Sequence, residues 1–186
     1  MSESVYLKEI LRELEQNACL VRDEELNAAA DAILKAERIF VAGAGRSGFA
    51  ARAFSNRLMH LGRTVYFVGE PTTPAICEGD LLVIGSGSGE TASLAAMAGK
   101  AKARGAGLAV VTIHPDSTIG QLADCLICLP GSTPKSDQED TCSSVQIMAD
   151  LFEQLSWLVY DVLIRYLMDR TGVTEEEMFE RHANLE

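Results

Sequence analysis

The chain alternates short, continuously apolar runs with longer segments in which apolar residues recur at helical spacing. The short runs predict β-strands and the longer segments predict helices. The predicted strands are residues 38–43, 64–69, 80–85, 107–113 and 124–130. The predicted helices are residues 4–36 as one or two helices, 47–62, 90–105, 117–123, roughly 141–170, and 174–186 with a tail.

The order of these elements predicts the fold class. The strands lack polar alternation, as is typical of a sheet that is covered on both faces. Alternation of strand and helix then predicts an α/β three-layer sandwich with a five-stranded parallel sheet and helical additions at both termini. We expect a single domain of residues 1–186, with N-terminal helices in 1–36, the α/β core in 37–130 and C-terminal helices and tail in 141–186.

Composition narrows the possible partners and the compartment. The chain has 186 residues, 47% hydrophobic and 23% charged, with a formal net charge of −11. That charge argues against non-specific nucleic-acid binding, which needs a basic face. No apolar run approaches the ~20 residues needed to cross a bilayer. The acidic, amphipathic N-terminus lacks the features of a secretory signal, so we expect a cytoplasmic protein with no membrane partner.

Five cysteines are scattered along the chain. Cys125 and Cys128 form a CxxC pair, but they lie in a predicted strand, and no second pair or paired histidine completes a zinc site. We therefore predict buried, reduced thiols and no metal site.

The first of two glycine-rich loops follows the first predicted strand. Residues 43–48, "GAGRSG", match G-x-G-x-x-G between a strand and a helix, and Glu70 lies near the position of the acid in a dinucleotide fingerprint. A dinucleotide site is therefore one hypothesis. It is disfavoured because little chain remains after Glu70 for a substrate domain, and because it leaves the second loop unexplained.

The second loop, "GSGSGET" at residues 85–91, alternates glycine with hydroxyl side chains. Glycines let the backbone approach a ligand, and hydroxyls together with the N–H groups of a helix start can hold a phosphate monoester. A flexible turn with N-capping serines is the alternative. The loop lacks the Lys-Ser/Thr ending of a nucleotide-binding P-loop. The predicted substrate- or phosphate-binding residues are Arg46, Ser47, Ser86, Ser88, Gly89 and Thr91.

Several motifs together resemble one family. "GAGRSG", "RLMHLG", "FVGE", "GSGSGET", "MADLFEQ" and the terminal "RHANLE" are similar to those of the 6-phospho-3-hexuloisomerase family, within the flavodoxin-like sugar isomerase (SIS) fold. The resemblance covers nearly the whole chain. It implies conversion of 3-hexulose 6-phosphate to fructose 6-phosphate in the ribulose monophosphate pathway of formaldehyde fixation. It also implies a homotetramer with active sites near subunit interfaces, and no metal or organic cofactor.

Moving a carbonyl from C3 to C2 requires a base, and Glu153 is the candidate. It is an acid inside an otherwise apolar helical pattern, where burial raises a carboxyl pKa toward the range useful for a base. By resemblance, the glutamate of "FEQ" is the catalytic carboxylate. A glutamate on the helix surface is the alternative.

The histidines are less clearly placed. The resemblance implies that His182, in the tail, completes the active site of a neighbouring subunit, whereas an exposed tail histidine is the alternative. We expect His60 on a helix beneath the first loop and His114 in a turn before Pro115; a supporting role for His60 at the site and contact of His114 with the sugar are the alternatives. Lys135, in the polar loop of residues 130–140, is a weaker candidate for contact with substrate.

The long C-terminal helix predicts an interface. It has more apolar positions than one stripe against a small sheet requires. These positions are Leu151, Leu155, Leu158, Val159, Val162, Leu163, Tyr166 and Leu167.

Two other functions stay open. One is a different SIS isomerase, acting on sedoheptulose or arabinose phosphates; we expect no appended regulatory domain, which disfavours the arabinose phosphate enzymes. The other is a sugar-phosphate-sensing regulator, although residues 1–36 offer no basic recognition helix.

Overall fold

The computed structural model describes residues 4–133, 142 and 144–185. Two helices precede the first strand, and strands and helices alternate through the middle of the chain. Two further helices follow the last strand. In chain order the elements are α1 (Val5–Ala18), α2 (Asp23–Lys35), β1 (Ile39–Gly43), α3 (Gly45–His60), β2 (Val65–Phe67), β3 (Leu81–Gly85), α4 (Ala92–Ala103), β4 (Gly107–Thr112), a 3-10 turn (Gly120–Leu122), β5 (Cys125–Cys128), α5 (Asp150–Thr171) and α6 (Glu175–Glu180).

The five strands form one parallel sheet in the order β2-β1-β3-β4-β5. This is the flavodoxin-like order, in which the winding direction reverses between β1 and β3. Gly43 and Gly85, the last residues of these two strands, are register partners. The predicted fold class is confirmed, and the topological switch point lies between the two glycine-rich loops.

Alternate strand residues face two separate cores. Ile39 and Val41 pack into a cluster with α2, α3 and α5, whereas Phe40 and Ala42 pack into a second cluster with α4 and Ile119. Helices therefore cover both faces of the sheet. This explains why the strands lack polar alternation.

The long C-terminal helix begins later than predicted. Residues 144–149 form bends and a turn, and α5 starts at Asp150. The sequence "SVQIMA" of this segment is compatible with a helix, but Met148 has a left-handed φ of 55°, which a continuous helix does not allow. Most of the predicted polar loop, including Lys135, lies outside the described residues.

The expectation of spare apolar positions on this helix is largely wrong, whereas the assembly itself stays a prediction. Five of its eight apolar positions are buried within the chain, because α5 packs on α1, α2 and α3. Leu158 and Val162 stay exposed, and Tyr166 is half-buried. The spare apolar surface comes instead from three helices together, as described below.

The cysteines also differ from expectation. All five are free thiols, but Cys19 and Cys77 are exposed and the other three are half-buried. Burial raises the pKa of the Cys125 thiol to about 11, so this side chain is protonated at neutral pH.

None of the described helices is long and apolar enough to span a membrane.

Candidate active site

The two glycine-rich loops lie side by side at the carboxyl edge of the sheet. Because Gly43 and Gly85 are register partners in adjacent parallel strands, the loops that follow them begin next to each other. They line a cavity of about 130 Å³, which is small against typical organic-ligand pockets and suits a compact ligand. The predicted residues Arg46, Ser47, Ser86, Ser88 and Thr91 all line it.

Close backbone packing explains Gly43 and Gly48 of the first loop, whereas Gly45 has a left-handed φ of 57°. A Cβ atom on Gly43 would lie 2.8 Å from the Cα of Gly48, and one on Gly48 would lie 2.8 Å from the carbonyl oxygen of Gly43. This contact brings the start of α3 directly against the end of β1. The G-x-G-x-x-G pattern is therefore explained by strand–helix packing at its first and third glycines and by a left-handed backbone at its second, and no dinucleotide is needed to account for it. Glu70 pairs with Arg52 and does not line the cavity.

The buried side chain of Tyr160 packs against Gly85, where the second loop begins. A Cβ atom on Gly85 would lie 2.6 Å from the hydroxyl of Tyr160 on α5. Tyr160 stacks on Phe54 with ring centroids 4.6 Å apart, and burial raises the pKa of its hydroxyl. Within the described part of the chain that hydroxyl has no hydrogen-bond partner.

The serine hydroxyls of the second loop are buried and aimed at its own backbone. Ser86 Oγ accepts from the N–H of Gly89 at 3.2 Å, and Ser88 Oγ accepts from the N–H of Glu90 at 3.3 Å. A hydroxyl that accepts a hydrogen bond still has its own O–H to donate. These serines can therefore shape the loop and bind an anion at the same time.

Both helices that start at the cavity present free N–H groups. Ala44, the N-cap of α3, has no hydrogen-bonding side chain, and Thr91, the N-cap of α4, makes no side-chain capping bond. Neither helix has an acidic residue in its first turn. The positive ends of two helix dipoles thus face the same small space, an arrangement that favours a dianion.

The loop after β4 packs against the second glycine-rich loop and fixes its conformation. Gly89, with φ of 63°, packs so tightly on Ser117 that a Cβ atom would lie 1.8 Å from its hydroxyl. The Glu90 carboxylate accepts from the N–H and the hydroxyl of Thr118 at 2.8 and 2.7 Å, and these bonds lower the pKa of Glu90. Gly89 was predicted to bind phosphate, but it lies outside the cavity wall and its N–H is used within the loop.

Glu153 lies at the wall of the cavity, beside Arg46. Arg46 Nε is 3.0 Å from Glu153 Oε2, and Arg46 also pairs with Asp150. The Glu153 side chain is only 17% exposed. The sequence predicts a carboxylate in apolar surroundings. The Glu153 side chain is largely shielded from solvent, but it forms an ion pair with Arg46.

His182 lies elsewhere in the same chain. It stacks on His60 with ring centroids 5.2 Å apart, at the C-terminal end of α3. Because the 16 residues of α3 span about 24 Å, this end is far from Arg46 and Glu153. The expectation that His60 lies beneath the first loop is wrong, since His60 occupies the opposite end of the helix.

The His60 environment leads to a prediction about acid stability. Burial lowers the pKa of His60, and the charges of Arg57 and His182 lower it further. In the unfolded chain the histidine pKa is about 6.5, so the unfolded chain binds this proton more tightly than the folded protein does. The free energy of unfolding therefore decreases as the pH falls through that value. We expect acidification from about pH 7.5 to about pH 5.5 to lower the wild-type Tm more than that of His60→Gln. Equal shifts by calorimetry would contradict this.

Other residues of the cavity wall were missed. Thr133, Met148, Ala149 and Phe152 all line it. Thr133 could have been found, because it follows β5 and so lies at the same carboxyl edge as the other loops. His114 is buried in a turn, where its carbonyl accepts from Ser117 at 2.6 Å, and it does not line the cavity. Among residues 4–133, 142 and 144–185, no cluster of three or more His, Cys, Asp and Glu could hold a metal ion.

Known proteins share this architecture along the whole chain. The family model described as "SIS domain" matches residues 32–153. A Bacillus subtilis protein named 3-hexulose-6-phosphate isomerase is 48% identical over 186 residues, with complete coverage of both chains. A Mycobacterium gastri protein of the same name is 42% identical over 185 residues, covering 94% of this chain and 92% of that protein.

A solved structure agrees with these relatives. The crystal structure of a hypothetical protein from Methanococcus jannaschii, from which a function of 3-hexulose-6-phosphate isomerase was inferred, superposes with a TM-score of 0.80 at 34% identity. The match covers 97% of this chain and 99% of the other. The doubly wound sheet with a hydroxyl-lined cavity at its switch point is typical of α/β domains that bind ligands at this edge. More narrowly, the chain belongs to the SIS domain family.

Proposed function

We propose that this protein is a 3-hexulose-6-phosphate isomerase, which interconverts 3-hexulose 6-phosphate and fructose 6-phosphate. The observation that carries the proposal is a sheltered carboxylate, Glu153, at the wall of a cavity lined by hydroxyls and helix N-termini. Relatives of that name that match over nearly their whole length support the choice of substrate. The reaction belongs to the ribulose monophosphate pathway of formaldehyde fixation, in the cytoplasm.

The phosphate group of the substrate binds the second loop and the two helix starts. Ser47, Ser86 and Ser88 donate hydroxyl hydrogen bonds, and Thr91 lies where α4 begins. The reacting carbons then lie toward Arg46 and Glu153. Binding by neutral donors and dipoles is consistent with a chain whose net charge is −11, because the positive potential is local.

Glu153 acts as the base. Its carboxylate takes the proton from C2, which leaves a cis-enediolate with one negative charge on O3. The O2 hydroxyl proton passes to O3, and Glu153 returns its proton to C3 as the carbonyl forms at C2. Arg46, 3.0 Å from Glu153, supplies a positive charge for those oxygens. One carboxylate on one face of the enediolate performs both proton transfers.

His182 contributes from a second copy of the chain. Within one chain it lies at the far end of α3 from Glu153, so a shared site needs another subunit. There an imidazole can exchange protons with the substrate oxygens near neutral pH. We place the sites near the interfaces of a homotetramer.

An apolar groove beside the cavity supports this assembly. It encloses about 600 Å³ between α1, α3 and α5, and Arg46 and Glu153 line both the groove and the cavity. Its large side chains Leu7, Leu11, Phe49, Trp157 and Leu158 are 47–68% exposed. An exposed apolar surface of this kind is typical of an interface, and here it adjoins the proposed site.

Mixing two inactive variants tests the shared site. Glu153→Gln and His182→Ala should each lose activity, and a hybrid oligomer formed from both should regain part of it, because some sites then hold both wild-type residues. The control is each variant mixed with itself. Gel filtration must also show a particle larger than the 20.1 kDa chain. A hybrid confirmed by mass spectrometry that stays inactive would place both residues in one subunit.

The proposed substrate is tested by a coupled assay. Fructose 6-phosphate formed from 3-hexulose 6-phosphate is detected, with arabinose 5-phosphate and sedoheptulose 7-phosphate as competing substrates. Turnover of either competitor at a higher kcat/KM would assign a different SIS isomerase activity. Binding of all three sugars without turnover would support the sensor hypothesis.

A further inference from the structure

One wall of the candidate site consists of a segment that is held in an unusual conformation. Residues 144–149 contribute Met148 and Ala149 to the cavity, and the carbonyl of Ala149 accepts the N–H of Glu153 at 3.1 Å. Met148 has a left-handed φ of 55°, which disfavours this backbone for a side chain of its size. Such a conformation persists only where neighbouring contacts fix it.

A buried acid on the N-terminal helix supplies those contacts. Glu13 is the buried residue of α1, only 7% exposed. Its Oε1 accepts the N–H of Val145 at 2.8 Å, and its Oε2 accepts from Nε2 of Gln146 at 2.8 Å. Acids are rarely buried unless they are hydrogen-bonded, and here both oxygens of one carboxylate bind the same segment.

The network continues into the helix that carries the candidate base. Gln146 Oε1 accepts from Nε2 of Gln154 at 2.8 Å, and Gln154 follows Glu153 directly. Glu13 is therefore connected to the first turn of α5 through Gln146, and to the segment before it through Val145. None of these residues belongs to the loops after β1 and β3.

We propose that Glu13 is a positioning residue for the reaction. It fixes residues 144–149 and the first turn of α5, and thereby sets where the Glu153 carboxylate and the Met148 wall lie. This proposal rests on the proposed isomerase function for the role of Glu153. It gives the N-terminal helix a part in the chemistry, although α1 lies more than 130 residues from Glu153 in sequence.

The variant Glu13→Gln removes one acceptor while it keeps the shape. The new amide can still accept from Val145. Its NH₂ group either faces the NH₂ group of Gln146 or forces the Gln146 amide to turn over, and the charge-assisted bond from Gln146 is lost in both arrangements. We expect kcat/KM to fall about tenfold, because one charge-assisted bond is lost and the base is misplaced. The inhibition constant of inorganic phosphate should not change, since Ser47 belongs to α3 and Ser86 and Ser88 bond within the loop after β3.

An exchange of the two partners provides the rescue. In Glu13→Gln/Gln146→Glu the amide at position 13 donates to a carboxylate at position 146, which still accepts from Gln154. We expect kcat/KM to return to within about twofold of wild type, as the same bonds are made with reversed roles. The matched control is Glu15→Gln, an exposed acid on the same helix, which should change nothing.

Hydrogen–deuterium exchange of the Val145 amide gives a readout that does not depend on activity. Exchange should be at least about tenfold faster in Glu13→Gln and slow again in the double variant. Unchanged exchange, wild-type kcat/KM in Glu13→Gln, or a parallel rise in the phosphate inhibition constant would each overturn the proposal. An inactive wild-type protein would instead overturn the proposed function, while the exchange comparison would still test the hold on this segment.

Discussion

Replacing Glu153 by glutamine is expected to lower kcat by at least about 100-fold with KM little changed, because removal of a general base typically costs 10²–10⁴ in rate. The amide keeps the size and the place of the side chain beside Arg46. It cannot accept the C2 proton. The measurement is steady-state conversion of 3-hexulose 6-phosphate to fructose 6-phosphate, with product release checked by single-turnover kinetics.

The neighbouring acid provides the control for this variant. Asp150 pairs with the same arginine but does not line the cavity. Asp150→Asn should therefore retain kcat within about tenfold of wild type, as expected for a group that contacts the base only through Arg46. Near wild-type turnover in Glu153→Gln would refute the assignment of the base. Equal losses in both variants would indicate that the ion-pair cluster, rather than one carboxylate, is required.

Replacing both Ser86 and Ser88 by alanine is expected to raise KM at least about 100-fold, because each hydroxyl bond to a charged group contributes about 1.5–3 kcal/mol. Both side chains are buried and line the cavity. Inhibition by inorganic phosphate should weaken by a similar factor. That parallel loss separates phosphate binding from effects on the sugar.

Ser93→Ala is the matched control for the double variant. Ser93 lies in the first turn of α4, but its side chain is exposed. It should leave KM unchanged. If the double variant also keeps its KM, the second loop is only a turn whose serines cap its own backbone. The Tm of each protein must be measured, because Ser86 and Ser88 also accept N–H groups within the loop.

Much of the fold could be predicted from the sequence, for an identifiable reason. The three central strands are short apolar runs that are buried on both faces, the two edge strands are half-buried, and parallel topology brings every strand's carboxyl end to one edge. Gly43 and Gly85 could therefore be placed together without coordinates. The phosphate candidates follow from that placement, with the exception of Gly89, whose left-handed backbone serves the contact with Ser117.

The parts that could not be predicted depend on contacts between distant residues. Nothing local marks Arg46 as the partner of Glu153, or Glu13 as the partner of Val145. The segment before α5 contains no glycine or proline that would mark a turn, so its sequence is compatible with a helix. Its turn is fixed instead by the distant Glu13 carboxylate. Burial of α5 by three other helices likewise depends on tertiary packing, which helical periodicity alone does not reveal.

The contact between Gly85 and Tyr160 limits how this site can change during evolution. Position 85 has no room for a methyl group, since its Cβ atom would lie 2.6 Å from the tyrosine hydroxyl. A chain that acquires alanine at position 85 must also lose the hydroxyl or the ring at position 160. We therefore expect the residues at positions 85 and 160 to vary together, so that a lineage in which one has changed has changed the other as well.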